Sequence, residues 1–348
     1  MKDTNTNQVA VVGLCLLGIC LLSAWVFVAR NNVVGTQGYD PIGTDFMALY
    51  SGARLVGTTH MYDPQTVWKV QQEAIGRYGE SLLFTRIPCF ALFLWPLAQL
   101  PYATAKCIWI SLQLGVIVAT VFLWPGSRKL AAIVTCWSFP AIMCLGAGSD
   151  APFLFLWLVL WRRLELRGRP VWGGIVLALC IAKFHLFLFL PLLLLRHRRW
   201  SVIKGSAIGV FVLVALSYLA AGWKWPVGYL HVLSRAEINP SRTMMPNLHG
   251  LVAPELEVPV VILVAVLTCA AIFRFDYIDA MIAALTGSML CSYHCYVNDG
   301  VVLLPALLLV MERYFRPGRA SVSGQIAVYA ALILITPLPW IAIMMRGR

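Results

Sequence analysis

Long apolar runs, separated by short clusters of basic residues, constrain this 348-residue chain more than any other feature. Runs over residues 9–29, 103–124, 202–221, 258–273 and 326–345 approach or reach the ~20 residues that a helix needs to cross a bilayer. Shorter ones cover 88–100, 130–145, 151–161, 171–182, 184–195, 278–293 and 297–311. Hydrophobic residues make up 60% of the sequence and charged residues 12%, about half the charged share of a soluble domain. That leaves too little polar surface to cover a water-soluble body. The sequence therefore predicts an all-α polytopic membrane protein, with residues 1–348 as one membrane domain.

The net charge of +12 does not point to nucleic acid, because the cations are not spread over one face. They come as Arg128-Lys129, 162–169, 196–204 and 313–319, each between apolar runs. The positive-inside rule places such clusters on the cytoplasmic side. An even number of crossings must then separate each pair. Residues 171–195 become a hairpin of two short helices with Lys183-Phe184-His185 at its far end, and residues 146–150 an outward turn. With the N-terminus inside, residues 30–86 form an outer loop and 88–100 a re-entrant piece. The expected count is about eleven crossings.

The loop at 30–86 is too long for a simple connector. Residues 64–78 within it have an amphipathic pattern, carried by Val67, Trp68, Val70, Gln71 and Ile75. The first apolar run has no small-x-small cleavage site on its flank, so it reads as an uncleaved anchor. Of the ten cysteines, most lie inside apolar runs, where Cys behaves as a small hydrophobe. Cys291, His294 and Cys295 form the one trio near helical spacing, and packing explains it better than a metal does. Motifs for nucleotide phosphates, zinc proteases and serine hydrolases are absent from the sequence.

Several short segments together resemble glycosyltransferase family 87 of the GT-C superfamily, which includes polyprenol-phosphate-mannose-dependent α-mannosyltransferases. The first is Gly43-Thr44-Asp45-Phe46 with Tyr50, followed by Tyr62-Asp63-Pro64. Trp95-Pro96-Leu97-Ala98 with Leu100-Pro101, Ala105 and Trp109 comes next, then Gly173-Gly174 through Lys183 to Arg198-Arg199-Trp200. Tyr293-His294 with Asp299 and Pro305 completes the set. The chain departs from the family pattern at Ile87-Pro88-Cys89 and at Gly148-Ser149-Asp150.

The resemblance implies a GT-C-type helix bundle and an inverting transfer of a hexose, mannose in the family's best-known members. The donor would be a polyprenyl-phosphate sugar and the acceptor a lipid or glycan. The site would face the periplasm or exterior of a bacterial inner membrane. No cofactor or metal is expected, since the lipid-phosphate sugar is itself a substrate. A flippase or secondary transporter for lipid-linked sugars is the rival expectation, although such folds usually show internal repeats and broken helices at the bilayer midplane.

A single displacement needs one carboxylate to take the acceptor's proton and cations to balance the leaving phosphate. Asp45 is the candidate base; its plain alternative is helix capping. Lys183, His185 and Arg86 are candidates for the donor phosphate, with His294 and Asp299 for the donor sugar or for orienting Asp45. A lysine at hydrocarbon depth costs about 2.5–3.5 kcal/mol, so Lys183 needs a partner or a route to water. Asp150 is the candidate acceptor contact. Asp63, before Pro64, reads as a helix cap.

Overall fold

Proline sits in the first turn of many of the helices, where its missing N–H costs nothing and its fixed φ suits the helix start. In chain order the computed structural model, which describes residues 3–34, 44–75, 82–235, 238, 242–315 and 322–346, runs as follows. α1 is Asp3–Val34, α2 Thr44–Arg54, α3 Pro64–Ile75, α4 Pro88–Ala98, α5 Tyr102–Leu123 and α6 Arg128–Cys136. α7 is Phe139–Ala147, α8 Ala151–Leu166 and α9 Pro170–Ala178, followed by a 3₁₀ stretch Leu179–Phe187. α10 is Leu190–Arg196, α11 Trp200–Ala221, α12 Trp225–Leu233, α13 Leu248–Leu251, α14 Pro254–Arg274 and α15 Tyr277–Leu290. A 3₁₀ turn Val297–Leu303 leads into α16 Leu304–Tyr314, then α17 Val322–Ile335 and α18 Leu338–Met345. No strand occurs among the described residues.

Four segments are long and apolar enough to cross a membrane: Tyr102–Leu123, Pro170–Phe187, Trp200–Ala221 and Pro254–Arg274. Two bent pairs, α6 with α7 and α17 with α18, raise the figure to six if each is one span. Eleven crossings is more than length and apolarity support among the described residues. Leu112, Phe122, Phe211, Leu263 and Val266 are exposed on these long helices, as lipid-facing side chains should be. The N-terminal helix is longer than the apolar run at its centre, and α14 starts at Pro254, ahead of the apolar run at 258–273. The amphipathic helix of the long loop is observed as α3, with Val67 and Gln71 buried and Trp68 exposed; Tyr78 lies outside the described residues.

The basic clusters meet at one end of the bundle. Arg199 Nε is 3.4 Å from Glu165 Oε1, and its guanidinium lies 4.0 Å over the Tyr277 ring. Arg163 donates to Leu123 O, Trp124 Nε1 to Glu312, and Arg313 pairs with Asp276 and Asp279. The excursion from Arg169 to Arg199 therefore leaves and returns to the same end, as charge parity predicts. Its break falls at Lys183, whose backbone is non-helical (φ −134°, ψ 54°).

Small residues let this hairpin pack closely on α11. A Cβ on Gly174 would lie 2.1 Å from Val202 O, and one on Gly205 2.0 Å from Val171 O. Backbones in such contact are how helices associate where lipid offers no hydrophobic drive. The stretch 177–187 also divides two buried cores. Leu177, Cys180, Leu186 and Phe187 join a core built around α7, α8, α15 and α16. Ala178 and Ala182 join another, around α2, α4 and α12. Lys183 sits on the seam between them.

Candidate active site

The motif at Asp45-Phe46-x-x-x-Tyr50 has a packing reason. Phe46, Leu49, Tyr50 and Ala53 form the buried stripe of α2. Phe46 stacks on Tyr102 and Trp109 at 5.8 Å, and Tyr50 donates to Leu100 O at 2.9 Å. Gly52 lies against Phe84, which a Cβ there would meet at 2.4 Å. With that face pinned, Asp45 in the first turn lines a cavity of about 110 Å³, together with Arg86, Lys183, His294 and Tyr296.

Tyr62-Asp63-Pro64 also resolves into parts. Tyr62 donates to Arg86 O at 2.7 Å and so anchors the backbone of a cavity cation. Asp63 Oδ2 accepts from the Thr66 N–H at 3.0 Å and from its hydroxyl at 2.5 Å, with Pro64 opening α3. Asp63 is a cap, as its position predicts.

Behind the cavity lies a buried ionic cluster. Asp150 terminates the turn after α7, where Gly148 takes φ +68°, a conformation that favours glycine. Its carboxylate receives both forks of Arg86, Nε at 2.6 Å and Nη2 at 2.9 Å, and Lys183 Nζ at 3.1 Å. Lys183 Nζ is also 2.5 Å from Asp299 Oδ1, while Asp299 Oδ2 accepts from the Tyr296 N–H at 2.9 Å. Two carboxylates thus hold two cations, the condition under which charge survives burial. Burial alone would raise the Asp150 carboxyl, but Arg86 and Lys183 hold it well below the usual carboxylate range. Burial would likewise lower Arg86, yet Asp150 keeps it charged.

Asp45 is outside that pairing. Half-buried, it accepts a hydrogen bond from Asn298 Nδ2 at 2.7 Å, its one hydrogen bond among the described residues. Burial raises its pKa, with Lys183 and Arg86 pulling the other way and Asp150 and Asp299 adding to the rise. It is a carboxylate with enhanced proton affinity at a cavity wall, which is what a general base requires. His294, pushed down to about 4 by burial, is neutral at neutral pH. His185 lies behind it, ring centroids 5.6 Å apart, with its Nε2 buried and without a hydrogen-bond partner among the described residues.

Residues 84–297 match the family model for glycosyltransferase family 87. The chain belongs to that family. The protein is therefore a glycosyltransferase. No curated protein and no solved structure matches it. The span matched to family 87 includes Arg86, Asp150, Lys183, His185 and His294, while Asp45 and Asp299 fall outside it.

All seven residues singled out in the sequence of this family 87 glycosyltransferase converge. Asp45, Arg86, Lys183 and His294 line the cavity; Asp150, Asp299 and His185 stand behind it. Two residues escaped the sequence reading. Asn298 holds Asp45, and Tyr296 lines the cavity; both lie in the same short turn as His294 and Asp299, which is the signal that points to them. Cys291 and Cys295 each donate to a backbone carbonyl, of Val261 and Tyr296, as packed thiols do. Among the described residues no group of three His, Cys, Asp or Glu is placed to hold a metal.

Proposed function

We propose that this glycosyltransferase moves a hexose, mannose on the family pattern, from a polyprenyl-phosphate donor to a lipid or glycan acceptor at the outer face of an inner membrane. One observation carries the reading: among the described residues, Asp45 is the only carboxylate lining the cavity, and the neighbouring carboxylates are already committed to cations. In the reaction the acceptor hydroxyl attacks the anomeric carbon as its proton passes to Asp45. The bond from that carbon to the phosphate oxygen breaks, inverting the centre. Lys183 and Arg86 at the wall balance the charge that develops on the leaving phosphate.

An apolar groove of about 360 Å³ supports the lipid donor. Phe90, Phe93, Leu97, Trp157 and Leu213 line it, together with Ile87 and Ala182, the sequence neighbours of Arg86 and Lys183. An isoprenoid chain laid there would place its phosphate beside both cations. Asp150, doubly held by Arg86 and set back from the cavity, orients Arg86 and Lys183 in this scheme rather than touching the acceptor.

The test is transfer by purified protein in nanodiscs, supplied with labelled mannosyl-phospho-polyprenol and a membrane lipid extract. A labelled glycolipid is expected. Product from a labelled nucleotide-sugar, with none from the polyprenyl donor, would overturn the donor class. Activity should also survive EDTA, because Asp150 and Asp299 spend their oxygens on Arg86, Lys183 and the Tyr296 N–H. Loss on chelation and recovery with manganese would assign these acids to a cation instead.

A further inference from the structure

A second polar cleft lies away from the ionic cluster, where α11 ends. Gly222, at φ +72°, turns the chain out of that long apolar helix and into α12. The stretch 223–235 then has two faces. Trp223, Val227 and Leu230, spaced i, i+4, i+7, are 86%, 73% and 65% exposed, an apolar face left open among the described residues. Lys224, Gly228, His231 and Arg235, spaced i, i+4, i+7, i+11, share the neighbouring face and line a cleft of about 280 Å³ whose opposite wall is residues 59–64. A short amphipathic helix at the end of a membrane span lies at head-group level, with its apolar face in the acyl boundary and its cations toward the head groups.

The cleft is built to receive an anion with oxygen acceptors. Lys224 and Arg235 are two permanent cations against one carboxylate, Asp63, whose Oδ2 is already spent capping α3. Trp225 Nε1 and Arg235 Nε are buried donors with no hydrogen-bond partner among the described residues, and a donor in that condition costs free energy until an acceptor arrives. Gly228 supplies the room: a Cβ there would press to 3.2 Å from the Tyr62 ring. Tyr62 closes the back of the cleft and, through its hydroxyl, holds the carbonyl of Arg86. A head group in the cleft therefore lies one side chain away from a cavity cation.

We propose that the cleft between α12 and residues 59–64 binds the phosphate of an anionic membrane lipid, seating that lipid beside the active site. The proposal stands on the cleft itself and does not depend on which sugar, donor or acceptor the enzyme uses. Its chemistry is that of a phosphate diester: two cations for the charge, indole and guanidinium N–H groups for the oxygens, and Asp63 Oδ1 for a head-group hydroxyl.

The experiment measures binding of a fluorescent short-chain phosphatidylglycerol to the full-length protein in neutral detergent, with the phosphatidylcholine analogue as reference. Phosphatidylglycerol should bind in preference. The double variant Lys224→Ala/Arg235→Ala should weaken that binding by about tenfold or more, from the attraction each basic residue contributes near an anionic surface. Arg128→Ala/Lys129→Ala, exposed cations at the other end of the bundle, should leave it unchanged. Gly228→Leu keeps every charge but fills the cleft, and should weaken binding as well; it decides the matter if the double variant fails to fold. Equal binding by wild type and Gly228→Leu would overturn the cleft as the site. Displacement of the lipid by millimolar inorganic phosphate would make the ligand a soluble phosphate compound and overturn the lipid assignment.

Discussion

At one end of the bundle Arg313 meets Asp276 and Asp279, with side chains 36%, 53% and 21% exposed. At the other end Arg86, Asp150, Lys183 and Asp299 make the same kinds of pair with side chains 10%, 2%, 4% and 1% exposed. The chemistry of the pairs is alike and the solvent is not. Exposed pairs gain little, since water and salt screen them and two long side chains must be held still. Buried pairs sit where each partner is intolerable without the other. The buried end fixes cations and carboxylates in one arrangement. What separates Asp45 from its neighbours is that it stands beside that arrangement without belonging to it.

The largest effect expected is on rate. Asp45→Asn keeps the shape of the side chain and can still meet Asn298, but it cannot accept a proton. Sugar transfer should fall by about 10²–10⁴-fold, the usual contribution of general-base catalysis, while the unfolding transition stays in place. Near-normal transfer by the variant would move the base to another group.

Next in size is a loss of stability at the buried end. Asp150→Ala leaves Arg86 buried with no carboxylate, and breaking a buried pair from one side costs about 3–5 kcal/mol. Denaturant or thermal unfolding in detergent should show it. A cost near that of an exposed pair would mean that water reaches the cluster freely, and the contrast between the two ends would collapse.

The third effect is a shift in the pH profile. Lys183 is the largest influence lowering the Asp45 pKa against burial. Removing that charge in Lys183→Met lets the pKa climb further. A base works only when deprotonated, so activity fails as pH falls through its pKa. The acid limb of kcat, read relative to each enzyme's own plateau, should therefore move to higher pH in the variant. A limb that stays put would show that Asp45 does not set it.

How far the sequence reaches is clear from the same residues. Charged side chains next to apolar runs are conspicuous, so Arg86, Asp150, Lys183 and Asp299 could be picked out one by one, whereas Asp45 came forward only through the resemblance to family 87. Which carboxylate takes which cation could not be read, because that depends on contacts between segments far apart in sequence, such as Arg86 with Asp150. Asn298 went unnoticed because an amide carries no charge and no motif, although it directly precedes Asp299. Charge parity placed the hairpin tip at Lys183 correctly, since both legs must end among cations. The number of crossings was less legible. Prolines, the 3₁₀ stretch and the bends near 61° and 59° cut the passes into pieces shorter than the length that identifies a span.

The smallest effect predicted is at the exposed end, and it is the one that most sharply tests the comparison. Arg313 makes two carboxylate contacts, to Asp276 and Asp279, and leans its guanidinium 5.7 Å over the Tyr314 ring. Counted as contacts, it is as well connected as Lys183. Counted by solvent, it is not: its partners can each be hydrated when it is removed, and Tyr314 keeps its own hydrogen bond to Asp279 at 2.6 Å. Arg313→Ala should therefore cost no more than about 1 kcal/mol and leave sugar transfer unchanged, with what small cost there is shrinking further as salt is raised. Unfolding curves at low and high ionic strength, beside a transfer assay, measure all three. A loss of several kcal/mol that salt does not touch would mean that this end is as dry as the other, and burial would no longer explain why the site lies where it does.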